Sequence, residues 1–86
     1  MNVMLSVDLN GATSSERREF DEAMAKQKWK KWDNVSTTYT ASFQSNVSYE
    51  GALSVTKRRV MESAKEAGIS NWTALVQVGD NLAEAF

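Results

Sequence analysis

The sequence predicts a single α+β domain with the element order strand, helix, strand, strand, helix, strand. Two kinds of pattern support this prediction. Three segments alternate apolar and polar side chains, as strands with one buried face do. Two longer segments start with a hydroxyl-bearing residue and carry apolar residues at helical spacing. The 86 residues are enough for one domain only, so we expect residues 1–86 to form it, with residues 82–86 as a short tail.

The first strand occupies residues 3–9, and we expect the sheet to form around it. Its buried side carries Val3, Leu5, Val7 and Leu9. Its other side carries Met4, Ser6 and Asp8. Asn10 and Gly11 tolerate the backbone angles of a turn and therefore end the strand.

The first helix begins after Thr13, which has capping-box spacing to Glu16, and we expect it to reach about Gln27. Acidic residues early in this helix and lysines late in it complement the helix dipole. Residues 30–35 are predicted as a short edge strand, since lysine charges at an edge discourage unwanted strand pairing.

The second half of the chain repeats the pattern. Residues 36–44 are rich in Thr, Tyr and Phe and are predicted as a strand. Ser48 caps the second helix, which ends near Ala67 because Gly68 suits the left-handed position after a helix. Residues 72–78 alternate again and form the last strand.

Two right-handed crossovers interleave these four strands into an antiparallel sheet with both helices on one face, which is the ferredoxin-like arrangement. The predicted core consists of Leu5, Val7, Phe20, Met24, Phe43, Leu53, Val60 and Val76.

Because both helices cover one face, the other face of the sheet is predicted to be bare. It carries Met4, Ser6, Asp8, Thr38, Thr40, Ser42, Thr73, Leu75 and Gln77. An RNA-recognition motif would place two or more aromatic side chains there for base stacking, and the alternation places none. A flat polar face on so small a domain suits a dimer surface, so we expect a homodimer.

Composition excludes several kinds of site. The chain has no Cys and no His, which excludes Ser-His and Cys-His nucleophilic pairs and the common zinc sites. A bound metal would have to be a hard cation such as Mg²⁺ on carboxylates. The formal net charge of −1 steers the molecule as a whole to neither nucleic acid nor membrane. No signal-peptide pattern and no segment of transmembrane length is present, so we expect a cytoplasmic protein without a membrane partner.

Asp8 is the one carboxylate on the predicted bare face, and two interpretations stay open. It can be a strand-end residue that bonds the turn amides near Asn10 and Gly11. It can also be a metal ligand, because in a two-fold dimer packed through this face two Asp8 carboxylates would share a Mg²⁺-type ion. Asp8 is therefore the candidate catalytic and metal-binding residue.

A basic segment near the end of the first helix contains no acid and is interleaved with two tryptophans. It consists of Lys26, Lys28, Trp29, Lys30, Lys31 and Trp32. Lysines with aromatic side chains bind single-stranded nucleic acid by phosphate contact and stacking. The candidate nucleic-acid-binding residues are Lys28, Lys30, Lys31 and Trp32. The alternative is that both tryptophans pack in the core or at the edge and that the lysines only solvate the surface.

Residues 7–10, Val-Asp-Leu-Asn, resemble the end of the first strand in the small CRISPR-associated adaptation nuclease family and its VapD and GhoS-type toxin–antitoxin relatives. Residues 38–53, a Thr-rich strand leading into a helix, are also similar to GhoS-type antitoxins. This resemblance implies a ferredoxin-like dimer with a nucleic-acid-related or toxin–antitoxin role. It puts Asp8 at the position of the nucleases' metal-binding Asp. Val7 stands where that family often has Tyr or Phe.

Two functional hypotheses follow. The first is a dimeric protein of toxin–antitoxin or phage-defence type that binds RNA or DNA and, if it is an enzyme, acts as a divalent-metal-dependent endoribonuclease through Asp8. The second is a non-enzymatic antitoxin or phage-encoded anti-defence inhibitor that docks on a protein partner. A continuous basic patch joining the lysines of residues 26–31 to Lys57, Arg58 or Arg59 would favour nucleic acid. Acids that interrupt this patch would favour a protein partner.

Overall fold

The computed structural model describes residues 1–32 and 38–86 and confirms the predicted α+β class. The elements are β1 Asn2–Leu9, α1 Ser14–Lys26, β2 Lys30–Lys31, β3 Thr38–Ser42, α2 Tyr49–Ala67, β4 Trp72–Val78 and β5 Glu84–Ala85. The strands form one antiparallel sheet in the order β2-β3-β1-β4-β5. Its first four strands have the ferredoxin-like order, because each helix connects two parallel strands that have another strand between them. Neither helix of the described residues has the length and hydropathy that a membrane span requires.

The sheet has five strands rather than the four predicted, because the tail pairs with the edge of β4. The backbone N–H and C=O of Phe86 exchange hydrogen bonds with Ala74, both 2.8 Å long. The rings of Trp72 and Phe86 also meet edge to face, with centroids 5.8 Å apart. Pairing satisfies backbone groups that β4 would otherwise present at an open edge. Residues 82–86 are therefore not a free tail.

Two strands differ in length from their predictions. Of the predicted edge strand 30–35, residues 30–32 are described and contain the strand Lys30–Lys31, and residues 33–35 lie outside the described part. The strand predicted over 36–44 covers Thr38–Ser42, with residues 36 and 37 also outside the described part. Beyond Ser42, the N–H of Phe43 still donates to the carbonyl of Met1 at 2.8 Å.

The core lies between the helices and the covered face of the sheet. Six of the eight predicted core residues are buried: Leu5, Val7, Phe20, Met24, Val60 and Val76. Phe43 and Leu53 are only half-buried, although both pack against the cluster. Trp29 and Tyr39 are also buried in the core, with 5% and 2% of their surface exposed.

The predicted helix caps are present. The hydroxyl of Thr13 accepts a hydrogen bond from the N–H of Glu16 at 3.1 Å, and the Glu16 carboxylate accepts one from the N–H of Thr13 at 2.8 Å. This reciprocal pair satisfies two backbone donors that have no partner inside the helix. The Ser48 hydroxyl similarly accepts from the N–H of Gly51 at 3.0 Å. Both helices therefore start where their capping residues predict.

Candidate nucleic-acid interface

The bare face of the sheet is built by the residues of each strand that point away from the helices. Met4 of β1 lies opposite Thr40 of β3 and Gln77 of β4. One row further along, Ser6 lies opposite Thr38 and Leu75. Two apolar side chains in these rows stand largely in solvent, with Met4 53% exposed and Leu75 47% exposed. The face is thus a mixture of hydroxyls and exposed apolar groups.

The structure adds an aromatic side chain to this face, which corrects the prediction that it has none. Trp32 follows β2, and its backbone N–H donates to the carbonyl of Thr38 at 3.0 Å, so it continues the ladder. Its indole N–H donates to the hydroxyl of Thr40 at 3.2 Å. Since Thr40 points to the bare face, the indole lies over that face, and it is 50% exposed. A partly exposed indole is a surface on which a base can stack.

Two lysines accompany this tryptophan. The Nζ of Lys30 lies 5.7 Å from the centroid of the Trp32 ring, which is within cation–π range. Lys28 joins them at the rim of a shallow depression of about 670 Å³ whose floor includes Met4 and Thr40. An aromatic ring, two ammonium groups and hydroxyls therefore border one open depression.

Lys28 occupies this rim in an unusual backbone conformation. Its φ is 66°, and it is the single non-glycine residue with positive φ among the described residues. The next residue, Trp29, donates its N–H to the carbonyl of Met24 at 3.1 Å, which closes a Schellman motif at the end of α1. At the end of α2 the same position is Gly68, with φ 75°. Glycine adopts this conformation freely, whereas a lysine there is strained.

Lys31 points to the opposite side of the sheet from Lys30. Its Nζ lies 2.6 Å from a carboxylate oxygen of Asp21 on α1, and both side chains are partly buried. The other oxygen of Asp21 accepts a hydrogen bond from the hydroxyl of Tyr39. Burial, the Asp21 hydrogen bond and the Asp21 charge together raise the pKa of Tyr39 far above its usual value. Lys31, predicted to bind nucleic acid, thus belongs to a polar contact between α1 and the sheet.

Acids also accompany several basic residues on the helices. Lys26 lies 3.8 Å from Glu66, and Arg59 lies 3.3 Å from Glu62. Lys57 lies over the ring of Phe86, 5.7 Å from its centroid. Acids therefore interrupt the basic residues of the two helices, which is the arrangement expected for a protein partner. The positive charge of the bare face is local to Lys28 and Lys30, so binding of nucleic acid there would depend on these two lysines.

Asp8 lies at the other end of the bare face, opposite Thr73 of β4. With its nitrogen turned toward Asp8, the side-chain amide of Asn10 donates to both carboxylate oxygens, at 3.1 and 3.2 Å. The amide that contacts Asp8 thus belongs to Asn10 of the turn, as the strand-end interpretation expects, and it is the side-chain amide. Within residues 1–32 and 38–86, no three His, Cys, Asp or Glu side chains come close enough to hold a metal ion together.

A second, smaller recess of about 270 Å³ adjoins Asp8. Leu75 and Ala85 contribute apolar surface to it, and the hydroxyls of Ser6 and Thr73 lie at its border. Asp8 is exposed, and no lysine or arginine of the described chain forms a salt bridge with it. The bare face thus has a basic, aromatic half and an acidic half.

Comparison of the chain with protein-family models, with curated proteins and with solved structures finds no match.

Proposed function

We propose that this protein binds single-stranded nucleic acid on the bare face of its sheet. The observation that carries the proposal is the group formed by Trp32, Lys30 and Lys28 around one open depression. Such a role suits the toxin–antitoxin or phage-defence setting that the resemblance of residues 7–10 implies.

The chemistry of the group matches an unpaired strand. Stacking of one base on an aromatic side chain is worth roughly 1–3 kcal/mol. Each lysine can contact a phosphate and release condensed counterions from the strand. Duplex DNA keeps its bases stacked inside, so an indole lying on a sheet could not reach them. The exposed Trp32 therefore favours a single strand over a duplex.

The strained backbone of Lys28 supports the same proposal. A left-handed conformation costs an L-residue roughly 1–2 kcal/mol, and glycine would avoid this cost. Backbone strain is concentrated at functional sites in proteins. The lysine side chain borders the depression, where its charge can contact a phosphate. A contribution of Lys28 to binding would explain why a strained lysine stands where a glycine would be unstrained.

The proposal is for binding rather than cleavage, since Asp8 is the one carboxylate that lines the bare face among the described residues. A Mg²⁺-dependent ribonuclease would need the Asp8 of a second copy beside the first. Cleavage can be checked within the binding assay by adding Mg²⁺ or Mn²⁺. The nuclease hypothesis predicts shortened RNA that Asp8→Asn abolishes.

The experiment compares two adjacent lysines. Lys30→Ala and Lys31→Ala remove the same charge at neighbouring positions, but only Lys30 points to the bare face. Binding is measured by fluorescence anisotropy with labelled single-stranded RNA and DNA octamers, at about 50 and 200 mM salt. The salt slope is the steepness with which the logarithm of the binding constant falls as the logarithm of the salt concentration rises. Lys30→Ala should weaken binding and reduce this slope by about 0.7. Lys31→Ala should leave both unchanged once folding has been verified by circular dichroism.

Trp32→Ala tests the stacking contribution separately. Loss of one stacked base should weaken binding roughly 5- to 150-fold, with the salt slope retained. Trp32→Phe keeps a stacking surface and should recover most of the affinity. Equal binding by wild type, Lys30→Ala and Trp32→Ala, or no salt-dependent binding by the wild type, would reject the proposal. Comparison of the RNA octamer with the DNA octamer shows whether the sugar 2′-hydroxyl contributes to the affinity.

A second candidate function, docking on a protein partner, is favoured by the outer surface of α2. Met61 is 58% exposed there, and Leu53, two helical turns earlier on the same surface, is half-buried. The charges around these two side chains have both signs, since Lys57 and Glu62 border the same surface. Capture of a specific protein from a native lysate, lost with Met61→Asp and kept with Trp32→Ala, would support docking through α2.

A further inference from the structure

We infer that the recess beside Asp8 binds a guanine base of the strand that the bare face carries. This inference rests on the proposed function and names the base that the same surface selects. It starts from the separation of the bare face into a basic, aromatic half and an acidic half.

The two halves are close enough for one short strand to occupy both. Trp32 lies in the same row as Ser6, two strands away across β3. Asp8 lies two residues further along β1 than Ser6. Strand spacing and rise put Asp8 about 10 Å across the sheet from Trp32 and about 7 Å along it. A few nucleotides would therefore connect the indole to the carboxylate.

The charge of Asp8 decides which part of a nucleotide can lie there. A carboxylate repels phosphate, and Lys28 and Lys30 are at the other end of the face. The part of a nucleotide that suits the recess is therefore a base, with its ring on the apolar surface of Leu75 and Ala85 and its edge toward Asp8.

An ionised carboxylate only accepts hydrogen bonds, through two oxygens side by side. Guanine presents two adjacent donors on its Watson–Crick edge, the ring N1–H and the exocyclic N2 amino group. Adenine and cytosine each present one donor next to a ring nitrogen that repels the carboxylate, and uracil presents one donor between two carbonyl oxygens. Guanine is thus the one base of the four whose Watson–Crick edge offers two separate donors side by side, one for each oxygen of Asp8.

Asn10 prepares the carboxylate for this contact. With its side-chain nitrogen turned toward Asp8, the orientation that pairs donor with acceptor, the amide donates to both oxygens at 3.1 and 3.2 Å and restricts rotation of the carboxylate. Each carboxylate oxygen can accept two hydrogen bonds, so both retain capacity for guanine. No lysine or arginine among the residues described forms a salt bridge that would compete for these oxygens.

The test uses single-stranded RNA octamers that alternate uridine with guanosine, inosine, adenosine or cytidine. Inosine is guanosine without the N2 amino group, so it removes one of the two donors. A good bidentate contact discriminates between bases by roughly 5- to 150-fold, and we expect the guanosine octamer to bind tighter than the others within that range. The inosine octamer should bind at least about 5-fold more weakly than the guanosine octamer.

Two matched variants separate base recognition from charge. Asp8→Asn and Asp80→Asn each remove one negative charge, but Asp80 lies in the turn after β4, outside the recess. Both should bind the adenosine and cytidine octamers slightly more tightly, since one repulsive charge is gone. Asp80→Asn should keep the guanosine preference, whereas Asp8→Asn should bind the guanosine octamer more weakly and lose that preference. Wild-type binding without a guanosine preference, or a preference that Asp8→Asn keeps, overturns the guanine inference and leaves the proposed function standing. No binding of any octamer overturns the proposed function itself.

Discussion

Replacement of Lys28 by glycine should make the protein more stable and a weaker binder of nucleic acid. Lys28 has the left-handed conformation that closes α1, with φ 66°, and its side chain is exposed at the rim of the depression. Because the side chain makes no buried contact, its removal costs no core packing. In this variant the free energy of unfolding therefore reports on the backbone strain of Lys28, and the affinity for nucleic acid reports on the contribution of its side chain to binding.

The magnitude follows from two opposing effects. Relief of the left-handed strain is worth roughly 1–2 kcal/mol. Glycine also increases the freedom of the unfolded chain, which costs about 0.5–1 kcal/mol. The net gain in the free energy of unfolding should be about 0.5–1 kcal/mol, which for a domain of this size corresponds to a rise in Tm of about 2–8 °C.

Gly68→Lys is the matched control, because Gly68 has the equivalent position at the end of α2. A Cβ built there meets no atom within 4 Å, so the substitution introduces backbone strain and no clash. It should lower the free energy of unfolding by about 0.5–1 kcal/mol and leave octamer binding unchanged.

Stability is measured by urea unfolding with a constant m-value, and binding by anisotropy at two salt concentrations. Lys28→Gly should shift the midpoint upward and reduce the salt slope of binding by about 0.7. A lower midpoint for Lys28→Gly would refute the strain argument. A higher midpoint with unchanged affinity would refute the assignment of Lys28 to the binding surface.

Three further predictions concern the core, the buried hydroxyl and the assembly. Leu5→Ala should cost about 2–5 kcal/mol in urea unfolding, because Leu5 is completely buried, and a cost below half a kcal/mol would contradict the assigned position of β1. Because the folded state raises the pKa of Tyr39, it retains a proton that the unfolded chain releases above about pH 10, so stability should fall as the pH rises beyond that value. Tyr39→Phe should reduce this alkaline loss, and an identical pH dependence of both proteins would contradict the buried contact with Asp21. We expect a homodimer by light scattering, and RNA octamers should dissociate it if it forms through the bare face but not if it forms through strand edges; a monomeric mass at hundreds of micromolar would reject the dimer.

The sequence by itself determined the elements that depend on residues close together in the chain. The alternation of apolar and polar residues predicted which sides of β1 and β4 are buried, since successive side chains in a strand point to opposite faces. Thr13 and Ser48 marked the starts of the helices, because a cap satisfies backbone donors within three residues of itself. The order of these elements was sufficient to predict the ferredoxin-like arrangement.

The tertiary structure decided the features that depend on contacts far apart in the chain. Pairing of Phe86 with Ala74 made a strand of the predicted tail. Trp32 and Lys31 lie on opposite sides of the sheet because pairing with β3 sets the register of an edge strand only two residues long. A strand that short has no hydrophobic alternation of its own, and a shift of one residue would exchange its two faces. The binding surface therefore depends on a register that local patterns in the sequence do not encode.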